Sequence, residues 1–319
     1  MALFLSENDV ESLLTMSLAL GAVEEAHRAL SSRQGSDVPR QRTRLPQTTL
    51  HLLQGALPSL DAIGYKAYTS NRSGVRFLVH LYRASTGVLR AVIEADRLGM
   101  MRTAAASGVA TRWLARPDAR VAGVFGAGWQ AEGHLEALVA VRPLQRVKVH
   151  ARHSDRLAAF CSRMSERLDI EVVPTASPED VVRGSDIVST VTTSATPLFK
   201  AEWLSPGTHI NAAGSNSLIR RELGEDVLKR CSPIVVDSIE TALREAGDLL
   251  PVLEKGRLQA RDLLELGDVI CGRQAGRSTS DEITLFESQG MAIQDLALAA
   301  RLEPLARENG LGVELPYGG

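Results

Sequence analysis

The run Gly126-Ala127-Gly128-Trp129-Gln130-Ala131 limits the fold of this chain more than any other stretch. It follows an apolar run, Val121–Phe125, and opens a helical stretch over 129–141. The rhythm then repeats. Strand candidates at Arg146–His150, Glu171–Val173, Asp186–Val191, His209–Ala213 and Pro233–Asp237 are interleaved with helices predicted over 155–167 and 178–183. Strands alternating with helices build parallel βαβ units and a doubly wound sheet. In that setting G-x-G-x-x-A has a physical meaning. Gly126 permits the tight turn, Gly128 lets backbone approach a pyrophosphate, and Ala131 lets the helix pack close to the sheet. The N–H groups of the helix start then face the phosphates. Gln130 and the backbone of Trp129 belong to the same turn. The expectation is a dinucleotide-binding Rossmann domain.

The preceding part of the chain has a different pattern. Residues 7 to 33 read as helical, with Ser6 and Asp9 spaced as a capping box. Strand-like stretches follow at Thr48–Leu53, Ala62–Tyr68, Phe77–Tyr82 and Val88–Ile93. Asn71-Arg72-Ser73-Gly74 and Ser85-Thr86-Gly87 punctuate them, which predicts an antiparallel meander. Asp96–Leu114 reads as a long helix ended by Arg116-Pro117-Asp118. Met291–Asn309 reads as an amphipathic helix that returns to the first domain. The predicted class is therefore α/β, with a Rossmann domain over 117–292. A discontinuous α+β domain takes 1–116 and 293–319. The 319 residues are ample for two cores.

Composition removes several functions. A net charge of −2 gives no basic field for nucleic acid or an anionic membrane. Aromatics at 4% are too sparse for base-stacking platforms. No apolar run reaches the ~18 residues of a membrane span, and the first residues lack the pattern of a signal peptide. Cys161, Cys231 and Cys271 are far apart and odd in number, which fits a reducing cytoplasm. The histidines show no metal-ligand spacing, so no metal site is expected.

The second strand of the Rossmann unit ends Val149-His150-Ala151-Arg152-His153-Ser154. NAD sites usually carry an acid there for the ribose hydroxyls. Arg152 stands there instead, with Ser154 behind it, and suits a 2′-phosphate. NADP(H) is the expected cofactor, with NAD(H) the alternative; a solvent-facing Arg152 is the plain reading.

The first domain supplies cations. Lys66 interrupts the otherwise apolar strand Gly64-Tyr65-Lys66-Ala67-Tyr68. Arg102 lies in Met100-Met101-Arg102-Thr103-Ala104 among helix-core residues. Buried cations need an anionic partner, and a group of them suits a carboxylate. Arg42 and Arg44 read equally well as solvated loop cations.

Gly64-Tyr65-Lys66, Met101-Arg102-Thr103-Ala104-Ala105 and the glycine turn are three of a series of blocks in the chain. The others are Asp186-Ile187-Val188-Ser189-Thr190, His209-Ile210-Asn211-Ala212-Ala213-Gly214, Glu245-Ala246-Gly247-Asp248 and the run from Thr284 to Ala292. Together they resemble the ornithine cyclodeaminase/mu-crystallin family along nearly the whole chain. The resemblance implies a homodimer formed by the first domain, with substrate between the two domains. It implies that Arg42, Lys66 and Arg102 hold a substrate carboxylate, and Lys66 is placed to relay a proton. It also implies that Thr190, Val191, Thr192 and Gly214 lead to the nicotinamide, with Ser288 and Gly290 closing that pocket.

The family includes cyclodeaminases, alanine dehydrogenases and ketimine reductases. Cyclodeaminases carry an Asp base shortly after the Asn-Ala-x-Gly strand end. This chain has Asn216 there, in Gly214-Ser215-Asn216-Ser217, and an amide takes up no proton at neutral pH. An iminium already attracts hydride and needs orientation more than a base. The expected activity is thus NADP-dependent reduction of the C=N bond of a small, cyclic or open, imino acid. Three alternatives stay open: cyclodeaminase, amino-acid dehydrogenase, or a crystallin-like protein that binds cofactor and ligand without turnover. Asn216 also reads as a loop or cap residue. His209 reads as a structural hydrogen-bonding residue. Glu245 and Asp248 read as a capping or surface pair, and Asp295 either orients a basic site residue or faces solvent.

Overall fold

The computed structural model describes residues 1–317, apart from the side chain of Ser154. The chain forms two compact units: Met1–Arg102 with Gly290 onward, and Thr103–Gln289.

The first unit begins with β1 (Ala2–Leu5), α1 (Glu7–Leu13) and α2 (Met16–Ser31). Ser6 and Asp9 form the expected capping box. The helical stretch expected over 7–33 consists of two helices. Thr15 accepts the Leu18 N–H and so starts α2 afresh, after Leu14 has turned extended. Next come β2 (Ser36–Arg44), β3 (Thr49–Leu57), β4 (Ala62–Asn71), β5 (Gly74–Arg83) and β6 (Leu89–Glu94). β2 to β6 form an antiparallel meander, and β1 adds in parallel to β6. α3 (Asp96–Leu114) has the predicted bounds. Glu7 caps its start by accepting the Asp96 and Arg97 N–H groups. The units divide this helix after Arg102, whereas the sequence reading cut the chain beyond its end.

The second unit follows the predicted alternation. It contains β7 (Val121–Phe125), α4 (Trp129–Val141), β8 (Arg146–His150), α5 (Ser154–Leu168), β9 (Glu171–Pro174), α6 (Pro178–Val182) and β10 (Ile187–Thr190). Then come β11 (His209–Ala212), α7 (Glu225–Leu228), β12 (Cys231–Val236), α8 (Ile239–Glu245) and α9 (Leu250–Glu254). β13 (Leu263–Glu265), α10 (Leu266–Ile270) and β14 (Ile283–Glu287) complete it. The strands are parallel, in the order β13-β12-β14-β11-β10-β7-β8-β9. Successive residues feed opposite cores: Val124 and Ile187 enter one, Phe125 and Val188 the other. The order reverses beside β7, so the crevice beyond β7 and β10 is the topological switch point where such sheets take ligands.

The chain re-enters the first unit with α11 (Ala292–Glu308) and ends on β15 (Val313–Leu315), antiparallel to β1. α11 returns to the first unit as expected, but it is not the amphipathic helix expected. Twelve of its residues are buried, including Gln294, Asp295 and Glu303. It lies on the meander where Gly55 pairs with Gly64. A Cβ on Gly55 would stand 3.1 Å from the Ile293 nitrogen, and one on Gly64 would reach 3.1 Å from Leu296 Cδ2 and overlap the His80 carbonyl oxygen. Two paired glycines thus let the helix settle onto bare backbone. No helix among the described residues is long and apolar enough to cross a membrane.

Candidate active site

In the second unit the site starts at the glycine turn. Gly126 has φ +114°, a left-handed geometry suited to glycine, and a Cβ there would stand 2.9 Å from the Val191 carbonyl oxygen. The turn after β7 therefore touches the chain leaving β10. Gly128 is the N-cap of α4 with no side-chain cap, and open space lies where its Cβ would be. Bare helix N–H groups beside an open cradle fit a pyrophosphate. Ala131 is buried against the sheet. Trp129 is exposed, and the buried Gln130 Oε1 has no partner. Arg152 is exposed just beyond β8, ahead of the N-cap His153. Ser154 begins α5, but its side chain lies outside what is described.

Thr190 ends β10, and Val191 and Thr192 follow it half-buried. Gly214 and Asn216 lie in the segment after β11. Ser288 is buried and donates to Asp237 Oδ2 at 3.2 Å. His209 fits the structural reading: its ring nitrogens bond Thr284 Oγ1 and Asn211 Oδ1, and burial pushes it down to about 3. Of the capping or surface reading of Glu245 and Asp248, the surface alternative fails, since both are buried. The Asp248 carboxylate is drawn inside because it accepts the N–H groups of Glu222 (2.7 Å) and Leu223 (3.0 Å).

Sequence reasoning missed three further buried acids here: Glu222, Asp237 and Glu287. Each lies at or after a strand end and serves backbone or hydroxyl donors. Asp237 Oδ2 accepts the Gln289 N–H, and Glu287 Oε1 accepts the Ser215 hydroxyl at 2.5 Å. One signal was present: Glu287 ends Ile-Thr-Leu-Phe-Glu, an apolar run in which an acid is buried unless the strand stops.

In the first unit, Lys66 and Arg102 meet on one carboxylate. Lys66 Nζ donates to Asp295 Oδ1 at 2.9 Å, and Arg102 Nε donates to the same oxygen at 3.0 Å. All three side chains are buried. Arg102 Nη1 also donates to Gln294 Oε1 at 3.2 Å, and the Gln294 amide meets His27 Nε2 at 3.1 Å. Gly290 has φ +81°, and Arg102 Nη1 lies 2.5 Å from where its Cβ would be. The Lys66 ammonium lies 5.1 Å from the Phe77 ring centre. Lys66 is lowered to about 8, by burial first and by the charges of Arg102 and Arg40, with Asp295 pulling the other way.

Arg42 and Arg44 are not loop cations: both lie on β2, half-buried and exposed respectively. Arg42 pairs across the ladder with His51, which stacks on Tyr68 at 4.2 Å. His51 is lowered to about 4, by burial first and then by the charges of Arg42, Arg40 and Arg44. Arg40, which the sequence reading passed over, therefore joins the cations around Lys66. One half of the chain thus offers a dinucleotide cradle. The other offers two buried cations, Lys66 and Arg102, on the Asp295 carboxylate.

The profile of the ornithine cyclodeaminase/mu-crystallin family matches residues 1–309. The Δ1-pyrroline-2-carboxylate reductase of Bacillus cereus is 33% identical, over 99% of this chain and all of its own. The structure of the Thermococcus litoralis Δ1-pyrroline-2-carboxylate reductase, in complex with NADH and L-proline, matches with TM-score 0.94 and 31% identity, covering 98% of this chain and 100% of that one. An archaeal alanine dehydrogenase dimer with bound NAD matches with TM-score 0.93 and 33% identity, covering 98% of each chain.

Proposed function

The chain belongs to the ornithine cyclodeaminase/mu-crystallin family, and from that premise we propose that it reduces small cyclic α-imino acids, with NADPH as the preferred reductant. Its class is that of NAD(P)-dependent oxidoreductases acting on C=N bonds. The observation that carries the proposal is the sharing of one Asp295 oxygen by Lys66 and Arg102. Two buried cations against one carboxylate leave a positive balance that suits a substrate carboxylate.

When bound, the nicotinamide group supplies hydride to the imine carbon. The chain's own residues do the rest. Arg102 and Lys66 hold the substrate carboxylate and Asp295 fixes both. Lys66 Nζ, with its affinity for protons weakened toward neutrality, is suited to pass a proton to the imine nitrogen. Asn216, an amide, offers hydrogen bonds but takes up no proton, which favours reduction over cyclodeamination. Gly126, Gly128 and Gln130 suit the pyrophosphate, and Arg152 the 2′-phosphate.

The reading includes a homodimer and a cytoplasmic setting. Exposed Leu50, Ile63 and Leu78 lie on the face of the meander opposite Lys66, which supports the first. Three unpaired cysteines support the second.

The test is NADPH oxidation with Δ1-pyrroline-2-carboxylate and its six-membered homologue, run beside pyruvate with ammonia and beside L-ornithine. Turnover of the cyclic imines, with a lower KM for NADPH than for NADH, is expected. Turnover of pyruvate with ammonia alone would replace the proposal with amino-acid dehydrogenation, and proline plus ammonia from ornithine with cyclodeamination.

A further inference from the structure

Glu222 has no part in the roles above, yet it is wholly buried and both of its oxygens are occupied by backbone. Oε1 accepts the Thr192 N–H at 2.6 Å, and Oε2 accepts the Gly214 N–H at 2.9 Å. Thr192 follows β10 and Gly214 follows β11, its parallel neighbour. One carboxylate thus ties together two chain segments beyond adjacent strands, next to the switch point. The fit is close. A Cβ on Gly214 would stand 2.5 Å from Glu222 Cδ and would overlap the Thr192 carbonyl oxygen. Asp248 holds the backbone from which Glu222 reaches, through the N–H groups of Glu222 and Leu223.

We infer that Glu222 is a positioning residue for the cofactor, clamping the Thr192 and Gly214 segments in the arrangement that receives the nicotinamide end. This rests on the dinucleotide reading of the second unit. The clamp needs an ionised carboxylate, because only that group presents acceptors on both oxygens and no donor. A proton on either oxygen removes the negative charge and weakens the hold on the buried N–H groups, and an amide sets a donor against one of them.

The surroundings make the clamp sensitive to pH. Glu222 is raised to about 7, by burial first and by the Asp248 charge, against the pull of the Thr192 and Thr190 hydrogen bonds. The other charged groups of this cluster are Glu287, itself raised by burial, Asp248 and Glu222, and Arg221 near Asp248. The clamp is therefore closed above about pH 7 and loosens below it.

The experiment measures the Kd of NADH by nucleotide fluorescence between pH 6 and 8.5, using the full chain. NADH is the probe because it has no titrating 2′-phosphate. For the wild type, Kd should rise as pH falls through about 7. Glu222→Gln should bind about tenfold more weakly at pH 8 and lose the pH dependence, while its far-UV circular dichroism stays native. A flat wild-type profile overturns the inference, even if Glu222→Gln does not fold. A Glu222→Gln profile that superimposes on the wild type also overturns it. Failure of the wild type to bind either NADH or NADPH overturns the dinucleotide reading itself.

Discussion

Lys66 and Asp295 are separated by 229 positions in the chain and by 2.9 Å in space. Neither is exposed to solvent, and Asp295 accepts Arg102 on the same oxygen. The chemistry proposed for the first unit depends on this pair, and so do two of the expectations below.

Lys66 is protonated below about 8 and neutral above it. The charged form holds the substrate carboxylate and carries the proton. kcat/KM for the imine, at saturating NADPH, should therefore fall as pH rises through about 8. Lys66→Arg, whose guanidinium stays charged, should remove the descending limb. Lys66→Ala should lower kcat/KM on the order of 10²-fold. A descending limb that survives in Lys66→Arg assigns the titration to another group.

Asp295→Asn removes the only fixed counter-charge seen for Lys66 and Arg102 in the described first unit. Breaking a buried ion pair from one side costs about 3 kcal/mol or more, to be read from guanidinium denaturation. Asp295 raises the Lys66 affinity for protons, so its loss should also move the basic limb of kcat/KM to lower pH. A limb that stays in place would separate Asp295 from Lys66 function.

Gly64→Ala tests the seat of α11. The new methyl would overlap the His80 carbonyl, a backbone atom that cannot swing aside. A stability loss of about 2 kcal/mol is expected, with a fall in kcat/KM as α11 shifts and takes Asp295 with it. Gly21→Ala is the control. It lies in the exposed face of α2 with open space around it, and should gain up to about 1 kcal/mol. Equal thermal midpoints for Gly64→Ala and the wild type would remove the packing argument.

Features that depend on local periodicity were legible in the sequence. The strand before the glycine turn, the helix after it and α3 have their predicted bounds, because apolar spacing and capping residues are local signals. β2 was missed because Ser-Asp-Val-Pro-Arg-Gln-Arg-Thr-Arg is polar and carries a proline, as an edge strand tolerates. β14 lies in the middle of the second sheet, between β11 and β12, yet the sequence reading treated its residues only as part of a family block.

The site was legible where a charge broke an apolar pattern, as at Lys66 and Arg102. Glu222, Asp248 and Glu287 were not, because their burial answers donors brought near only by the fold: backbone N–H groups for Glu222 and Asp248, the Ser215 hydroxyl for Glu287. The amphipathic reading of α11 failed for the same reason. Its polar positions face inward to partners: Asp295 to Lys66 and Arg102, and Glu303 to Arg90 at 2.9 Å.

The late position of α11 also constrains biogenesis. The second unit is one continuous stretch and can complete its sheet as it leaves the ribosome. The meander of the first unit emerges earlier, yet the helix that covers Gly55 and Gly64 arrives only after residue 291. Until then its inner face, with Lys66 and Leu53 uncovered, is a nascent-chain surface that a holdase chaperone can recognise. A chain truncated before Ala292 should carry a protease-sensitive meander.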